Sequence, residues 1–238
     1  NGNAIAAWPV TDGAGASLMA TYYVAAESSW SPPVAISDSN VVRQTRVAID
    51  AEGDATAAWL MKVTPSGRKV ATNHYASDLG QWEGVVEHGT PAPSIERGNV
   101  ALAVDRDGRA VLATDGGGGI WAAIYDAEKG LWGDLVMVQE EEWSRVSTVA
   151  FGPDGDAVVF YEFDEGDYTG WSRVYRRDTD AWSPRENSEA FWYDEVRAGC
   201  GGLLAIYGVD SRGLASFDVS SQQWKRMRGP DCLNSPKY

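Results

Sequence analysis

The residues of this sequence that are best suited to binding chemistry are aromatic rings with carboxylates and arginines near them in the chain. A flat ring offers an apolar platform to a sugar ring, while carboxylates and guanidinium groups supply hydrogen bonds to its hydroxyls. The same rings can anchor a protein partner. The candidate ligand-binding residues are Trp121, Trp143, Trp171, Trp192, Tyr168, Tyr193, Arg43, Arg145, Asp164, Asp167 and Glu195.

Several of these candidates recur at a fixed distance from a predicted hairpin. Arg43, Arg145 and Trp192 each lie ten residues before a hairpin glycine, and Arg97 lies eleven before one. Equal offsets predict similar heights in the fold, and a guanidinium fork binds two oxygens of a carboxylate or of neighbouring hydroxyls. The alternative is that these arginines pair with local carboxylates on an acidic surface.

Catalysis by paired carboxylates is a further alternative. A glycosidase needs two carboxyl groups roughly 5 to 10 Å apart, one with a raised pKa. Asp164 or Glu165 opposite Glu141 or Glu195 would supply such a pair, and the set of arginines is similar to that of a sialidase. The sequence contains neither a Ser-x-Asp-x-Gly-x-Thr-Trp box nor a nucleophile elbow. These observations favour a protein that is not an enzyme.

Metal and cofactor binding have little support in the sequence. His74 stands on a predicted strand, His88 stands in a predicted loop, and neither has a cluster of His or Cys near it. Asp105, Asp107 and Gly108 resemble the start of a calcium loop, but the remaining ligands are not there. We therefore predict no metal and no cofactor.

The chain contains an internal repeat, and the fold of that repeat determines where the candidate residues lie. An aromatic residue precedes a tryptophan by seven positions five times, and the tryptophans step by 52, 50, 50 and 42 residues. The five pairs are Tyr23 and Trp30, Tyr75 and Trp82, Tyr125 and Trp132, Tyr175 and Trp182, and Phe217 and Trp224. We expect these rings to fill the gaps between neighbouring repeats.

Two alternating apolar runs precede most of these pairs, joined by a turn that carries Asp or Gly, as in "VAIDAEGDATAAW" and "LAVDRDGRAVLA". Such runs predict a strand, a tight hairpin and a second strand, so each repeat supplies about four strands. The sequence thus predicts an all-β, five-bladed β-propeller of four-stranded antiparallel blades. We expect one domain over residues 1–238, with repeat cores at about 1–40, 41–92, 93–140, 141–188 and 189–238.

The sequence leaves two possibilities for how the ring of blades closes. The first repeat lacks its innermost strand, and the segment after Trp224 is short and polar. Either that segment closes the ring, fastened by a disulfide between Cys200 and Cys232, or the native protein continues before Asn1. Two free thiols are the alternative to the disulfide, which would favour an oxidising compartment.

Two resemblances accompany the repeat. "YDAEKGLW" and "FDVSSQQW" look like the end of a kelch blade. "GNAIAAW", "WSPPVAIS" and "VAIDAEGDATAAW" resemble the repeats of secreted and surface-attached bacterial proteins. The second resemblance implies recognition at a cell exterior.

The net charge of the chain limits the classes of molecule that it can bind. The net charge of -14 repels a phosphate backbone and an anionic membrane surface, and no run of eighteen apolar residues occurs. Nucleic acid and membrane insertion are therefore disfavoured. The sequence predicts a secreted or cell-surface binding module, lectin-like in its recognition of glycans. The alternative is a protein–protein scaffold within a surface assembly or a longer polypeptide.

Overall fold

The computed structural model describes the backbone of residues 2–11, 15–37, 41–62, 68–89, 98–116, 118–140, 144–163, 170–187, 193–199, 202–207 and 213–226. Side chains are described in these ranges except at residues 41–43, 163, 186–187, 193–199, 202–207, 213–216 and 224–226. All regular structure in this part of the chain is β, and none of its segments is a helix long and apolar enough to cross a membrane.

The strands form five antiparallel sheets in chain order. The first sheet holds β1 (Ala4–Thr11), β2 (Ala16–Val24), β3 (Ser29–Trp30) and β4 (Val34–Ala35). The second holds β5 (Val41–Ile49), β6 (Ala55–Lys62), β7 (Arg68–Ala76) and β8 (Gln81–His88). The third holds β9 (Val100–Val104), β10 (Ala110–Asp115), β11 (Gly119–Asp126), β12 (Leu131–Trp132) and β13 (Val136–Glu140). The fourth holds β14 (Ser144–Phe151), β15 (Ala157–Phe163), β16 (Gly170–Arg176), β17 (Ala181–Trp182) and β18 (Glu186–Asn187). The fifth holds β19 (Tyr193–Gly199), β20 (Gly202–Tyr207), β21 (Gly213–Asp218) and β22 (Gln223–Arg226).

The repeated aromatic pairs are cross-strand neighbours. In all five sheets the repeated aromatic residue lies directly opposite the repeated tryptophan, which is the second residue of the next strand along the chain. Tyr125 and Trp132 have ring centroids 5.4 Å apart and tilted by 52°, and the three preceding or following tyrosine pairs share this geometry. The sequence spacing of seven is therefore the span of one hairpin.

Each sheet packs on the next through its two apolar faces. Alternating side chains of a strand point to opposite faces, so the second, third and fourth sheets each contribute to two interfaces. Leu18 and Ala20 of the first sheet pack against Trp59 of the second, and similar clusters join the second to the third, the third to the fourth and the fourth to the fifth. Burying each large apolar side chain contributes roughly 1.5 to 3 kcal/mol. This arrangement is that of β-propeller blades, and five sheets are consistent with five blades.

The four repeated tryptophans whose side chains are described divide into two groups by burial, and Trp224 lies outside the described side chains. Trp82, Trp132 and Trp182 are partly buried and pack against the cluster that joins their sheet to the preceding one, as the sequence predicts. Trp30 is 51% exposed, so the prediction that it fills a gap between repeats is wrong for this residue. Its partner Tyr23 lies an odd number of residues beyond Leu18 and Ala20, on the face turned away from the second sheet.

The hairpins that join the first two strands of a sheet are built by their aspartates. The Oδ1 atom of Asp50 accepts hydrogen bonds from the backbone N–H groups of Gly53 at 2.7 Å and Asp54 at 2.9 Å. Asp105 accepts from Asp107 and Arg109 in the same way, both at 2.9 Å. The prediction that these aspartates are turn residues is confirmed.

The first sheet differs from the other four in its inner strand. β5, β9, β14 and β19 lie innermost in their sheets, and each packs beside the next. Among the described strands, β1 pairs only with β2, so the first sheet begins with a strand that is second in every other sheet. The prediction that the first repeat lacks its innermost strand is confirmed for the described residues.

Candidate functional site

At one end of the sheets the second strands end and the inner strands begin. We call this end the loop face. It carries Lys62 and Asp115 at the ends of β6 and β10, and Val100 and Ser144 at the starts of β9 and β14. The connecting segments 63–67, 90–97, 141–143, 164–169 and 188–192 lie outside the described residues. Their anchoring strand ends are nevertheless brought to one end of the molecule by the sheet topology.

A buried carboxylate fastens three sheets at this face. Asp115, 5% exposed, accepts hydrogen bonds from the backbone N–H of Asn99 at 2.7 Å and from the Asn99 side-chain amide at 2.9 Å. It also accepts one from the backbone N–H of Val146 at 3.0 Å. The Asn99 oxygen in turn accepts a bond from Gln44 at 3.2 Å. These four residues, the Asp115 network, connect the second, third and fourth sheets.

The electrostatics of Asp115 are those of a structural carboxylate. Burial raises the pKa of Asp115 above its usual value, while the N–H donors of Asn99 and Val146 and the charge of Arg145 act in the opposite direction. All three N–H donors favour the ionised form, because a carboxylate accepts and does not donate. Both of its oxygens accept hydrogen bonds within the fold.

Gln44 connects the second sheet to the Asp115 network. The pairing of β5 with β6 shifts on both sides of Arg43, and Gln44 takes a left-handed φ of 59° within that irregular stretch. Such a conformation is costly for a residue with a side chain and persists only where the surroundings hold it. The bond to Asn99 is one contact that holds it.

The predicted height of the arginines can be compared with the strand register. Arg43 lies opposite Leu60, five residues after the first residue of β6, and Arg145 lies opposite Glu162, five residues after the first residue of β15. The two backbones are thus at the same height. The Arg145 side chain is exposed at the loop face.

A hydroxyl group beside Arg145 is buried without a partner. Ser144 is 6% exposed, and its Oγ atom has no hydrogen-bond partner among the described residues. Buried hydroxyls are normally satisfied by protein or water. A polar ligand atom or a water at the base of the loop face would satisfy this one.

Trp121 and Trp171 occupy the same place in the repeat. Trp121 pairs with Thr114, four residues after the start of β10, and Trp171 pairs with Tyr161, four residues after the start of β15. Both therefore stand at a repeated position, although neither belongs to the five aromatic pairs. Their separation of 50 residues, equal to the repeat step, is the sequence signal that identifies them.

The surroundings of these two tryptophans leave little ring surface free. Trp121 is 5% exposed, packs with Leu135 and donates its Nε1–H to the carbonyl of Gly116 at 2.9 Å. Trp171 is partly buried against the core of the third and fourth sheets. The guanidinium of Arg185 lies 4.2 Å from the Trp171 ring centroid and covers one face.

The remaining candidates lie outside the described side chains. Arg43, Tyr193 and Glu195 are described in their backbone only, as strand residues at the loop-face end of β5 and β19. The candidates that fall wholly outside are Trp143, Tyr168, Asp164, Asp167 and Trp192. Cys200 and Cys232 fall outside as well, and their disulfide stays a prediction.

Three residues of the site are not among the candidates that the sequence predicts. They are Gln44, Asn99 and Asp115. Asp115 stands before four glycines in "TDGGGG", a stretch typical of a turn. His88 was also misplaced, since it is the last residue of β8 and is 5% exposed. Within the described residues, no group of three His, Cys, Asp or Glu side chains is placed to hold a metal ion.

Comparisons with known proteins identify the fold. No protein-family model matches the chain, and no curated protein sequence matches it. Among solved structures, a polysaccharide lyase matches with a TM-score of 0.54 and 10% identity over 89% of this chain, and a Hadza microbial sialidase with 0.56 and 13% over 94%. A protein of unknown function from Dyadobacter fermentans matches with 0.52 and 14% over 99%.

These likenesses are of fold, because the identities are low. The chain spans 60% of the length of the lyase, 55% of the sialidase and 78% of the Dyadobacter protein. Together with the five antiparallel sheets, they establish an all-β, propeller-type fold. Two of these structures are described as a polysaccharide lyase and a sialidase.

Proposed function

We propose that the protein binds glycans at the loop face without turning them over. The observation that carries this proposal is the position of Arg145, whose side chain is exposed at the loop face beside the Asp115 network. In the chain it follows residues 141–143, which include the predicted ligand-binding residue Trp143. A guanidinium group can hold two sugar oxygens at once.

Asp115 itself is poorly suited to act as a general acid. A general acid must be able to release a proton to the leaving group, and its pKa must be raised for that purpose. Although burial raises the pKa of Asp115, its oxygens are engaged by three N–H donors. The similarity in fold to a polysaccharide lyase and a sialidase is consistent with a glycan-related role.

A glycan panel tests this proposal directly. The wild-type protein should bind a subset of a broad panel that includes neutral and acidic glycans. Arg145→Ala, Trp143→Ala and Trp192→Ala should each weaken that binding by about tenfold or more, which is the loss of roughly 1.4 kcal/mol. Trp30→Ala is the matched control, because Trp30 is an exposed tryptophan at the opposite end of its sheet. A folded protein that binds nothing on the panel would contradict the proposal.

The proposal includes a location outside the cell and a Cys200–Cys232 disulfide, both of which rest on the sequence. Mass spectrometry after alkylation, with and without reductant, tests the bridge. Two alkylated cysteines before reduction would show free thiols.

A protein–protein scaffold is the second candidate. It is favoured by large apolar side chains on the outer strands, where Val85 and Val86 are 39% and 46% exposed and Val136 and Met137 are 42% and 38% exposed. Exposed apolar patches often mark interaction surfaces. Native mass spectrometry of protein taken from its source should then show a stable complex, and a strictly monomeric species would rule this candidate out.

A further inference from the structure

We propose that backbone bulges in the inner strands form a binding site for a neutral sugar unit, next to the loop face. This inference rests on the proposed glycan binding and deepens it, because it assigns part of that binding to strand residues in place of the loop segments. The site lies on β5, β14 and β19, which are innermost in their sheets.

The three bulges occur at the same height of the fold. In each of them, two residues of the inner strand lie opposite one aromatic residue of the second strand, four positions after the residue that faces the repeated tyrosine or phenylalanine. The bulges are Gln44 and Thr45 opposite Trp59, Val146 and Ser147 opposite Tyr161, and Tyr193 and Asp194 opposite Tyr207. Bulges redirect side chains and are frequent beside binding sites, so three at one height indicate a common role.

The inner strand of the third sheet shows what the bulges change. β9 pairs with β10 without a register shift, and Thr114 takes the place of the aromatic residue. Val100 and Ala101 at this height are buried. In β14, by contrast, Arg145 and Ser147 are both exposed. The bulged strand therefore exposes polar side chains where the straight strand buries apolar ones.

The packing of β14 confirms that its bulge changes the direction of the side chains. Val146 and Val149 both belong to the cluster between the third and fourth sheets, although they are three residues apart. In a regular strand, an odd separation places two side chains on opposite faces. The extra residue Ser147 allows both valines to be buried while its own side chain is exposed.

The bulges share a chemical character. The second residue of each has a short side chain that carries oxygen, and these residues are Thr45, Ser147 and Asp194. A hydroxyl group both donates and accepts hydrogen bonds, while a carboxylate accepts them. Sugar hydroxyls need both kinds of partner, so this set of residue types suits a sugar.

Arg46 adds a guanidinium group beside the bulge of the second sheet. Its Nη1 donates to the carbonyl of Thr45 at 3.0 Å, and its Nη2 donates to the side-chain oxygen of Gln44 at 3.3 Å. The side chain is exposed and has no ion pair with any described side chain. Because a guanidinium group has five N–H donors, some remain for a ligand.

The charges around the bulges favour a neutral ligand. Arg145 lies close enough to the buried Asp115 carboxylate for their charges to interact. Glu195 holds the register position in the fifth sheet that Arg46 holds in the second. The net charge of the chain is -14, which repels anions. A carboxylate or sulfate ligand would therefore meet charges of both signs, whereas sugar hydroxyls can pair with either.

Oligosaccharides of defined charge test the class of ligand. The neutral probes are pentasaccharides of glucose, mannose, galactose and xylose, together with any neutral member of the glycan panel that binds. The acidic probes are pentasaccharides of glucuronate and mannuronate. Titration calorimetry should show that the wild-type protein binds a neutral probe about tenfold or more tightly than either acidic probe.

Deletion of Ser147 tests the bulge itself. It leaves Val146 opposite Tyr161 and gives β14 the straight ladder that β9 has, so the protein should fold. Affinity for the neutral probe should fall by about tenfold or more. Ser147→Ala, which keeps the bulge and loses only the hydroxyl, should weaken binding by about fivefold.

Arg46→Lys tests the guanidinium group and does not depend on whether the deletion variant folds. An ammonium group keeps the charge but cannot hold two oxygens as a guanidinium fork does, so binding should weaken by about tenfold. Arg106→Lys is the matched control, because Arg106 is 82% exposed in a hairpin at the opposite end of the sheets.

The outcomes separate this inference from the proposed function. A wild-type protein that binds no probe and no member of the glycan panel would contradict both. Glycan binding that Arg145→Ala weakens, but that Arg46→Lys and Ser147→Ala leave unchanged, would overturn the bulge site alone. Tighter binding of an acidic probe than of every neutral one would overturn the neutral class of ligand.

Discussion

One position in each outer hairpin takes a left-handed backbone conformation. It lies two residues before each repeated tryptophan, and φ there is between 52° and 64° in all five sheets. The residues at this position are Ser28, Gly80, Gly130, Asp180 and Gln222. Only glycine adopts this conformation without steric cost, so three of the five hairpins carry local strain.

Substitutions at this position should therefore change stability in opposite directions. Ser28→Gly should raise the free energy of unfolding by about 1 kcal/mol, and Gly80→Ala should lower it by a similar amount. Urea denaturation measures both. Ser29→Gly, one residue further on within β3, is the matched control and should be neutral or slightly destabilising. A destabilised Ser28→Gly protein would contradict the argument.

His88 is a second residue whose surroundings determine its behaviour. Its Nε2 lies 2.9 Å from the Thr72 hydroxyl, and its ring packs edge-on against Trp132 at 5.1 Å. Burial lowers the pKa of His88 to about 4, from 6.5 in an unfolded chain. The folded state thus holds a neutral imidazole over a pH range in which the unfolded state is protonated.

The pH dependence follows from this difference. Because the unfolded state binds the extra proton, stability due to His88 is complete above pH 6.5 and is lost as the pH falls towards 4. The loss should be at most roughly 3 kcal/mol. Urea denaturation between pH 4.5 and 7 should show a weaker pH dependence for His88→Gln than for wild type, with His74→Gln as control. Parallel profiles for wild type and His88→Gln would rule the effect out.

At the scale of the strands, the Asp115 network joins elements that are far apart in sequence. Asp115→Ala would leave the backbone donors of Asn99 and Val146 buried without an acceptor. The expected loss of stability is about 2 to 4 kcal/mol. Urea denaturation measures it, and Asp134→Ala in an exposed loop is the control. A variant as stable as that control would show that water replaces the carboxylate.

The strands themselves were largely predictable from the sequence. The pair Tyr125 and Trp132 gave the correct hairpin, because a fixed spacing of aromatic residues reflects local geometry that one repeat contains. Asp115 was not predictable, because its partners lie 16 and 31 residues away, Asn99 just before β9 and Val146 in β14. The bulge at Gln44 was hidden for the same reason, since a shift in register depends on both strands.

The candidate binding residues illustrate a second limit. The repeat step of 50 residues was present in the sequence and would have identified Trp171 as the equivalent of Trp121. Their burial could not be deduced in this way, because it depends on the neighbouring sheet and, for Trp171, on Arg185. A tryptophan outside an obvious motif is therefore weak grounds for a binding role until its neighbours are known.

At the scale of the whole molecule, the repeated tryptophans report on contacts between sheets. Trp132→Ala should lower the free energy of unfolding by about 3 kcal/mol, because the ring packs between the second and third sheets. Trp30→Ala should lower it by less than about 1 kcal/mol, because its ring is 51% exposed. Urea denaturation compares the two directly. Equal losses would show that Trp30 is covered in solution.

The packing of each sheet against its neighbours in the chain has a consequence for the history of such proteins. In the first four sheets the repeated tyrosine lies opposite the first alanine of the neighbouring strand, and Trp82, Trp132 and Trp182 each pack towards the preceding sheet. The repeats are therefore alike at these boundaries. Gene duplication or deletion of about fifty residues would change the number of sheets, while the same types of side chain would still meet at each interface. Repeat number is then a property that evolution can vary in a single step, and the residues at the loop face can diverge afterwards without disturbing the sheets below them.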